Sequence, residues 1–111
     1  MSGDMNRRLA LEARTAAPDG AGGIEEAWVE LGVHWAALTP VSGRETFNAG
    51  RPVSRVTHKA WLRYVAFGAP ERPLADQRFR EGERIFAIRG VGEADDRRER
   101  LICWLEEGAL T

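Results

Sequence analysis

The sequence has 111 residues, 43% of them hydrophobic and 30% charged, with 16 basic against 17 acidic side chains and a net charge of −1. That length fits one domain over residues 1–111 with an ordinary packed core, and the balanced charge speaks against a protein whose main task is to grip nucleic acid along a groove. A single cysteine, Cys103, excludes an internal disulfide and argues against a cysteine-built zinc site; no apolar run approaches the roughly 18 residues of a membrane span, and no signal-peptide core follows Met1.

Residues 1–6 carry no pattern and read as a flexible tail. Arg8–Arg14 is the first strand, with Leu9 and Leu11 sharing a face at period two. Pro18-Asp19-Gly20-Ala21-Gly22-Gly23 has the composition of a hairpin turn. Ile24–Leu31 and Val33–Val41 follow, either as two strands or as one long strand bulged at Gly32. The period places Val33, Trp35 and Ala37 on one face. Pro40 ends the ladder because it has no N–H to donate.

Ser42 and Glu45 then stand at capping-box spacing, which predicts a short helix near residues 42–50, stopped by Gly50 and Arg51-Pro52. This is the one long polar departure between two strong strands. Val53–Phe67 is strand-like, with Val56, His58, Ala60, Leu62 and Tyr64 on one face. Gly68–Pro73 is a loop, and Leu74–Arg80 supports either strand or loop. Glu81-Gly82-Glu83 is a turn, and Arg84–Val91 is the clearest strand signal, with Phe86 and Ile88 in phase. Gly92–Arg98 is a charged turn before the last strand, Glu99–Glu107. About six short strands with turn signals between them predict an all-β chain, a small antiparallel β-barrel or sandwich. The expected core is Leu9, Leu11, Val29, Trp35, Leu62, Phe86, Ile88, Leu101 and Leu105.

Residues suited to catalysis are scattered. His34, His58 and Cys103 lie far apart and read as packed or surface side chains, so no metal site is expected. Asp95-Asp96 beside Arg97-Arg98 reads as a solvated turn. No Gly-rich phosphate loop opens a helix, and no nucleophile elbow is present. The expectation is a non-enzyme without cofactor or metal: a binding or assembly module.

The order and spacing of several segments go further. Arg8-Leu9-Ala10-Leu11 opens the chain. Gly22-Gly23 precedes Glu26-Ala27-Trp28, and Trp35-Ala36 leads to Ser42-Gly43-Arg44-Glu45. Thr57-His58 and Arg63-Tyr64 stand in a Thr-His-x-x-x-x-Arg-Tyr strand. Arg84 precedes Phe86-Ala87-Ile88, and Leu101-Ile102-Cys103-Trp104-Leu105-Glu106 closes the pattern. Over Arg8 to Glu107 the chain resembles the head–tail joining family of tailed phages, the head-closure or stopper proteins. Its Arg- and Ala-rich usage is similar to the version in alphaproteobacterial gene transfer agents.

The resemblance implies a structural connector made in the bacterial cytoplasm and located in the neck of a virion or gene-transfer-agent particle. It implies a homo-oligomeric ring of about six or twelve copies, with adaptor and portal proteins on the head side and a tail terminator or tail tube on the other. Double-stranded DNA would pass through the lumen without sequence-specific binding. It also places a channel-closing loop on Ser42, Gly43, Arg44, Glu45, Thr46, Phe47, Asn48, Gly50 and Arg51. Mixed charge makes Arg72, Asp95, Asp96, Arg97 and Arg98 candidate contacts with neighbouring subunits or rings. The alternatives are a tail terminator or adaptor-type neck protein, or a small barrel that binds single-stranded nucleic acid through Trp28, Trp35, Trp61 or Trp104.

Overall fold

The computed structural model describes residues 4–41, 56–95 and 97–108. Strand β1 (Arg7–Pro18) pairs antiparallel with β2 (Ile24–Pro40), and β2 pairs with β3 (His58–Arg63). Strand β4 (Arg78–Glu81) turns into β5 (Arg84–Glu93), which pairs with β6 (Arg100–Glu107). Pairing of β3 with β6 and of β4 with β1 closes a barrel in the order β1-β2-β3-β6-β5-β4. The all-β expectation holds, as a barrel. The helix expected near residues 42–50 lies outside the described residues.

The stretch from Ile24 to Pro40 is one strand of 17 residues, and its irregularity falls beside Gly32. Leu11 faces Gly32 while Glu12 faces Glu30, so Leu31 is the extra residue of a β-bulge. A second register shift follows Ile88, where Arg89 is extra. Such bulges bend long strands, and here they let β2 and β5 curve around a small barrel. The β4–β5 hairpin turns on Gly82, whose φ of 62° suits the first central position of a type II′ turn.

Leu9, Leu11, Leu62, Phe86, Ile88, Leu101 and Leu105 fill the interior, as the period-two reading requires. Ala36, Ala60, Cys103 and Phe79 join them. Small residues at 36 and 60 let β2 and β3 approach an interior already holding two phenylalanines. Two expected core residues are outside: Val29 is 44% exposed and Trp35 56% exposed. Trp35 pairs with Arg8 on the outer face, while its neighbour His34 pairs with Leu9 and turns inward. The Leu31 bulge fixes that phase. His34 is tolerated inside because its Nε2 donates to the Glu71 carbonyl at 2.7 Å.

Val29 is exposed for a different reason. Strand β1 touches β4 only from Ala10 to Glu12, and β2 touches β3 only from Ala36 to Pro40. From Ala13 outward, β1 and β2 pair with each other alone and project as a two-stranded arm. The molecule is accordingly elongated, 50 × 29 × 26 Å.

Candidate functional site

Val41 and Thr57, which flank the polar stretch of residues 42–55 in the sequence, are tied together at one point of the barrel. The Val41 amide donates to the Thr57 carbonyl at 2.9 Å, and the Thr57 amide donates to Leu105 at 2.8 Å. The Thr57 hydroxyl accepts from the Glu107 amide at 2.8 Å and lies 2.9 Å from His58 Nδ1. Thr57 therefore bridges the end of β2, the start of β3 and the end of β6. This gives the Thr-His step of the sequence a structural role: it closes the base of the excursion. Ser42, Gly43, Arg44, Glu45, Thr46, Phe47, Asn48, Gly50 and Arg51 themselves lie outside the described residues.

Around this base sits an ion-pair network. Arg7 holds Glu81 through two bonds, of 2.6 and 2.7 Å. Arg84 donates to both carboxylate oxygens of Glu107, at 2.8 and 3.1 Å, and stands 3.5 Å from Glu81. The forked arginine geometry matches a carboxylate and restrains both partners. The Arg7 hydrogen bond lowers the Glu81 carboxyl below its ordinary value, and the Arg84 hydrogen bond does the same for Glu107. His58 packs edge-on against Phe86 at 5.3 Å, and burial lowers its pKa against the opposing pull of Glu107.

The interface candidates lie toward the other end of β6. Arg72 is an interior side chain, 6% exposed. Its guanidinium donates to the Val65 carbonyl at 2.7 Å and covers Phe67 at 3.9 Å, pinning its own loop. Asp95 shapes the β5–β6 turn: its Oδ1 accepts from the amides of Arg97 and Glu99 at 3.1 and 3.2 Å. Arg97 and Arg98 are exposed on that turn, Arg98 with φ 58°. Asp96 lies outside the described residues. The topology thus sets the Arg72 loop and this turn at one end of the barrel and the base of the excursion at the other.

Among the described residues, no group of three or more His, Cys, Asp or Glu side chains gathers in a metal-binding arrangement. Burial pushes the Cys103 thiol up to about 12, which leaves it a neutral core group. The four tryptophans all sit on the outer face. Trp28 lies under the guanidinium groups of Arg14 and Arg78, at 5.1 and 4.0 Å, and Lys59 stands over Trp61. Trp104 rests beside Gly92, where an added Cβ would come within 3.5 Å of its ring. Of the four, Trp35 is the exposed one.

Sequence reasoning missed Phe79 and His34 as interior groups, and Glu12 as a buried carboxylate on the outer face. Phe79 is a lone apolar residue in a four-residue strand, Arg-Phe-Arg-Glu, which shows no period. Its signal was the mirror placement of Phe79 and Phe86 about the Gly82 turn. Glu12 is buried because Arg78 donates to it at 2.7 Å and Arg80 stands 3.7 Å away.

The chain has counterparts of known structure. One is a chain in the virion of a native gene transfer agent particle, 39% identical, with a TM-score of 0.70 over 95% of this chain and 96% of that one. Another is protein SF1141 from Shigella flexneri 2a, 25% identical, with a TM-score of 0.71 over 96% of this chain and 95% of that one. No curated protein matches the sequence. The family model for phage head completion proteins aligns with residues 1–108, so all six strands fall inside the match, and the chain belongs to that family.

Proposed function

We propose that this chain is a structural neck subunit of a phage-like particle, a head-closure protein that forms a ring between the adaptor and the tail. In this reading the ring continues the DNA channel and helps to close it once packaging is complete. The protein has no catalytic task, and duplex DNA passes without sequence-specific contact. The carrying observation is the end-to-end likeness, at 39% identity, to a chain of a gene transfer agent virion. Family membership over residues 1–108 supports the same role. The near-neutral charge suits it as well, because a strongly basic lumen would hold DNA that must slide on ejection.

Channel closure is assigned to Ser42–Pro52 in this proposal. Its two flanks are tied together at Thr57, so a rearrangement there need not disturb the barrel. The test uses particles from cells lacking this chain, complemented with the wild type or with a variant whose Arg44–Arg51 segment is a Gly-Ser linker. Without the chain, DNA-filled heads should accumulate without tails; normal tailed particles would refute the neck role. The linker variant should join heads yet let DNA leak before tails attach. Sealed heads with that variant would assign closure to another ring.

A further inference from the structure

Several arginines of this barrel are matched by carboxylates of the same chain. Arg7 pairs with Glu81, Arg78 with Glu12, Arg84 with Glu107 and Arg89 with Glu106. One row is different. Arg8 pairs across the sheet with Trp35, and Arg63 pairs with Arg100. Trp35 and Arg63 stand one step beyond the Ala36–Leu62 pair of the same ladder, where Ala36 and Leu62 face inward, and both line one groove. Four neighbouring strands therefore present Arg8, Trp35, Arg63 and Arg100 as one line across the outer face, on the order of 15 Å long. Among the described residues none of these three arginines has a carboxylate partner. The groove beside the row has a volume of about 390 Å³, and Met5, Val33, Tyr64 and Val65 give it apolar walls. A half-exposed tryptophan between unmatched arginines is the composition of an interface centre.

The same chain carries a complementary surface elsewhere. The β1–β2 arm ends in Ile24, which is 74% exposed and is followed by Glu25 and Glu26. Both glutamates are exposed; Glu26 has only a loose contact with Arg14 at 3.9 Å. The tip is rigid for a loop, because Asp19 Oδ1 accepts from the amides of Ala21 and Gly23 at 2.8 and 3.0 Å. Those bonds lower the Asp19 carboxyl and keep a third negative charge at the tip. Ten residue steps separate Arg8 from Pro18, roughly 33 Å at the usual rise, so the arm cannot reach the row of its own chain.

We propose that the arm of one copy docks on the Arg8–Trp35–Arg63–Arg100 row of the next, with Ile24 in the groove, Glu26 on the same face as Ile24 set against the arginines, and Glu25 on the opposite face adding to the negative charge of the tip. The two patches differ, so the contact is heterologous: it repeats head to tail and closes into a ring wherever the rotation allows. This inference takes its biological place from the ring reading above, but its test needs only the isolated protein.

Two charge-reversed variants provide that test, Arg8→Glu with Arg63→Glu and Glu25→Arg with Glu26→Arg, each checked for native fold by circular dichroism. Sedimentation velocity should show the wild type associating below about 1 mM. Each variant alone should be monomeric, because its arm and row carry the same charge. Mixed in equal amounts, the two should associate again, since each arm now meets an opposite row. Trp35→Ala should weaken wild-type association by about tenfold or more with the charges intact. A monomeric wild type, variants that associate as the wild type does, or a mixture that stays monomeric would overturn the assignment. Salt-dependent binding of a labelled oligonucleotide that is lost in the Arg8→Glu, Arg63→Glu variant would also overturn it, giving the row to nucleic acid.

Discussion

His34 shows how one side chain can couple the fold to pH. It is buried, its Nε2–H is committed to the Glu71 carbonyl, and burial lowers its pKa from the ordinary 6.5. His58 is lowered in the same direction, again chiefly by burial. The folded state therefore binds these protons less readily than the unfolded chain. Their contribution is fully present above the unfolded value, near 6.5, and is lost as pH falls from there toward the lower folded values. Glu81 and Glu107, held below 4.5 by Arg7 and Arg84, add a loss of the same sign in more acid solution. The thermal midpoint should therefore drop between about pH 7.5 and pH 5.5. His34→Gln, which keeps an N–H for Glu71, should show a smaller drop; an equal drop would place the sensitivity elsewhere. At Phe86, where no solvent reaches, replacement by alanine should cost about 3–5 kcal/mol in urea titrations. An unchanged midpoint would contradict its position facing Phe79.

Elements differ in how openly the sequence declares them. The β1–β2 turn was legible because Asp19 and its glycines satisfy the turn locally, with φ of 83° at Gly20 and 89° at Gly22. Strands β5 and β6 were legible because each alternates against a single core. The bulge beside Gly32 was foreseeable as a kink, but its effect on phase was not: one extra residue at Leu31 carries Trp35 outward and His34 inward. Local pattern cannot decide that, since the arbiter is the Glu71 carbonyl, 37 residues away. Gly32 belongs to the same arrangement, as a Cβ there would lie 3.2 Å from Glu71. Val29 misled for a converse reason: its alternation is regular, but the arm it belongs to has no second layer. Of the proposed sites, the base of the excursion could be inferred from Thr57-His58, whereas the basic row required the registers of three ladders.

At the scale of the molecule, the proposed neck role calls for surfaces toward two different neighbours, and this barrel has two dissimilar ends. One holds the base of the excursion, closed by Thr57 and bordered by the Arg7–Glu81–Arg84–Glu107 network. The opposite end carries the Arg72 loop, the Asp95–Arg98 turn and the root of the arm. Strand β6 runs between them, from Arg100 to Glu107. Arg72 is committed inside its own loop, which leaves Arg97 and Arg98, exposed on a turn that Asp95 holds in shape, as the proposed contacts with a neighbour at this end. Exposed charges of this kind steer docking and set specificity while adding little to folding. Arg97→Glu combined with Arg98→Glu should therefore leave the thermal midpoint of the free subunit unchanged and lower the yield of tailed particles, with filled, tailless heads visible by electron microscopy. Restored yield on returning Arg97 alone would assign the contact to that side chain. A normal yield from the double variant would show that the turn makes no contact on which tail attachment depends.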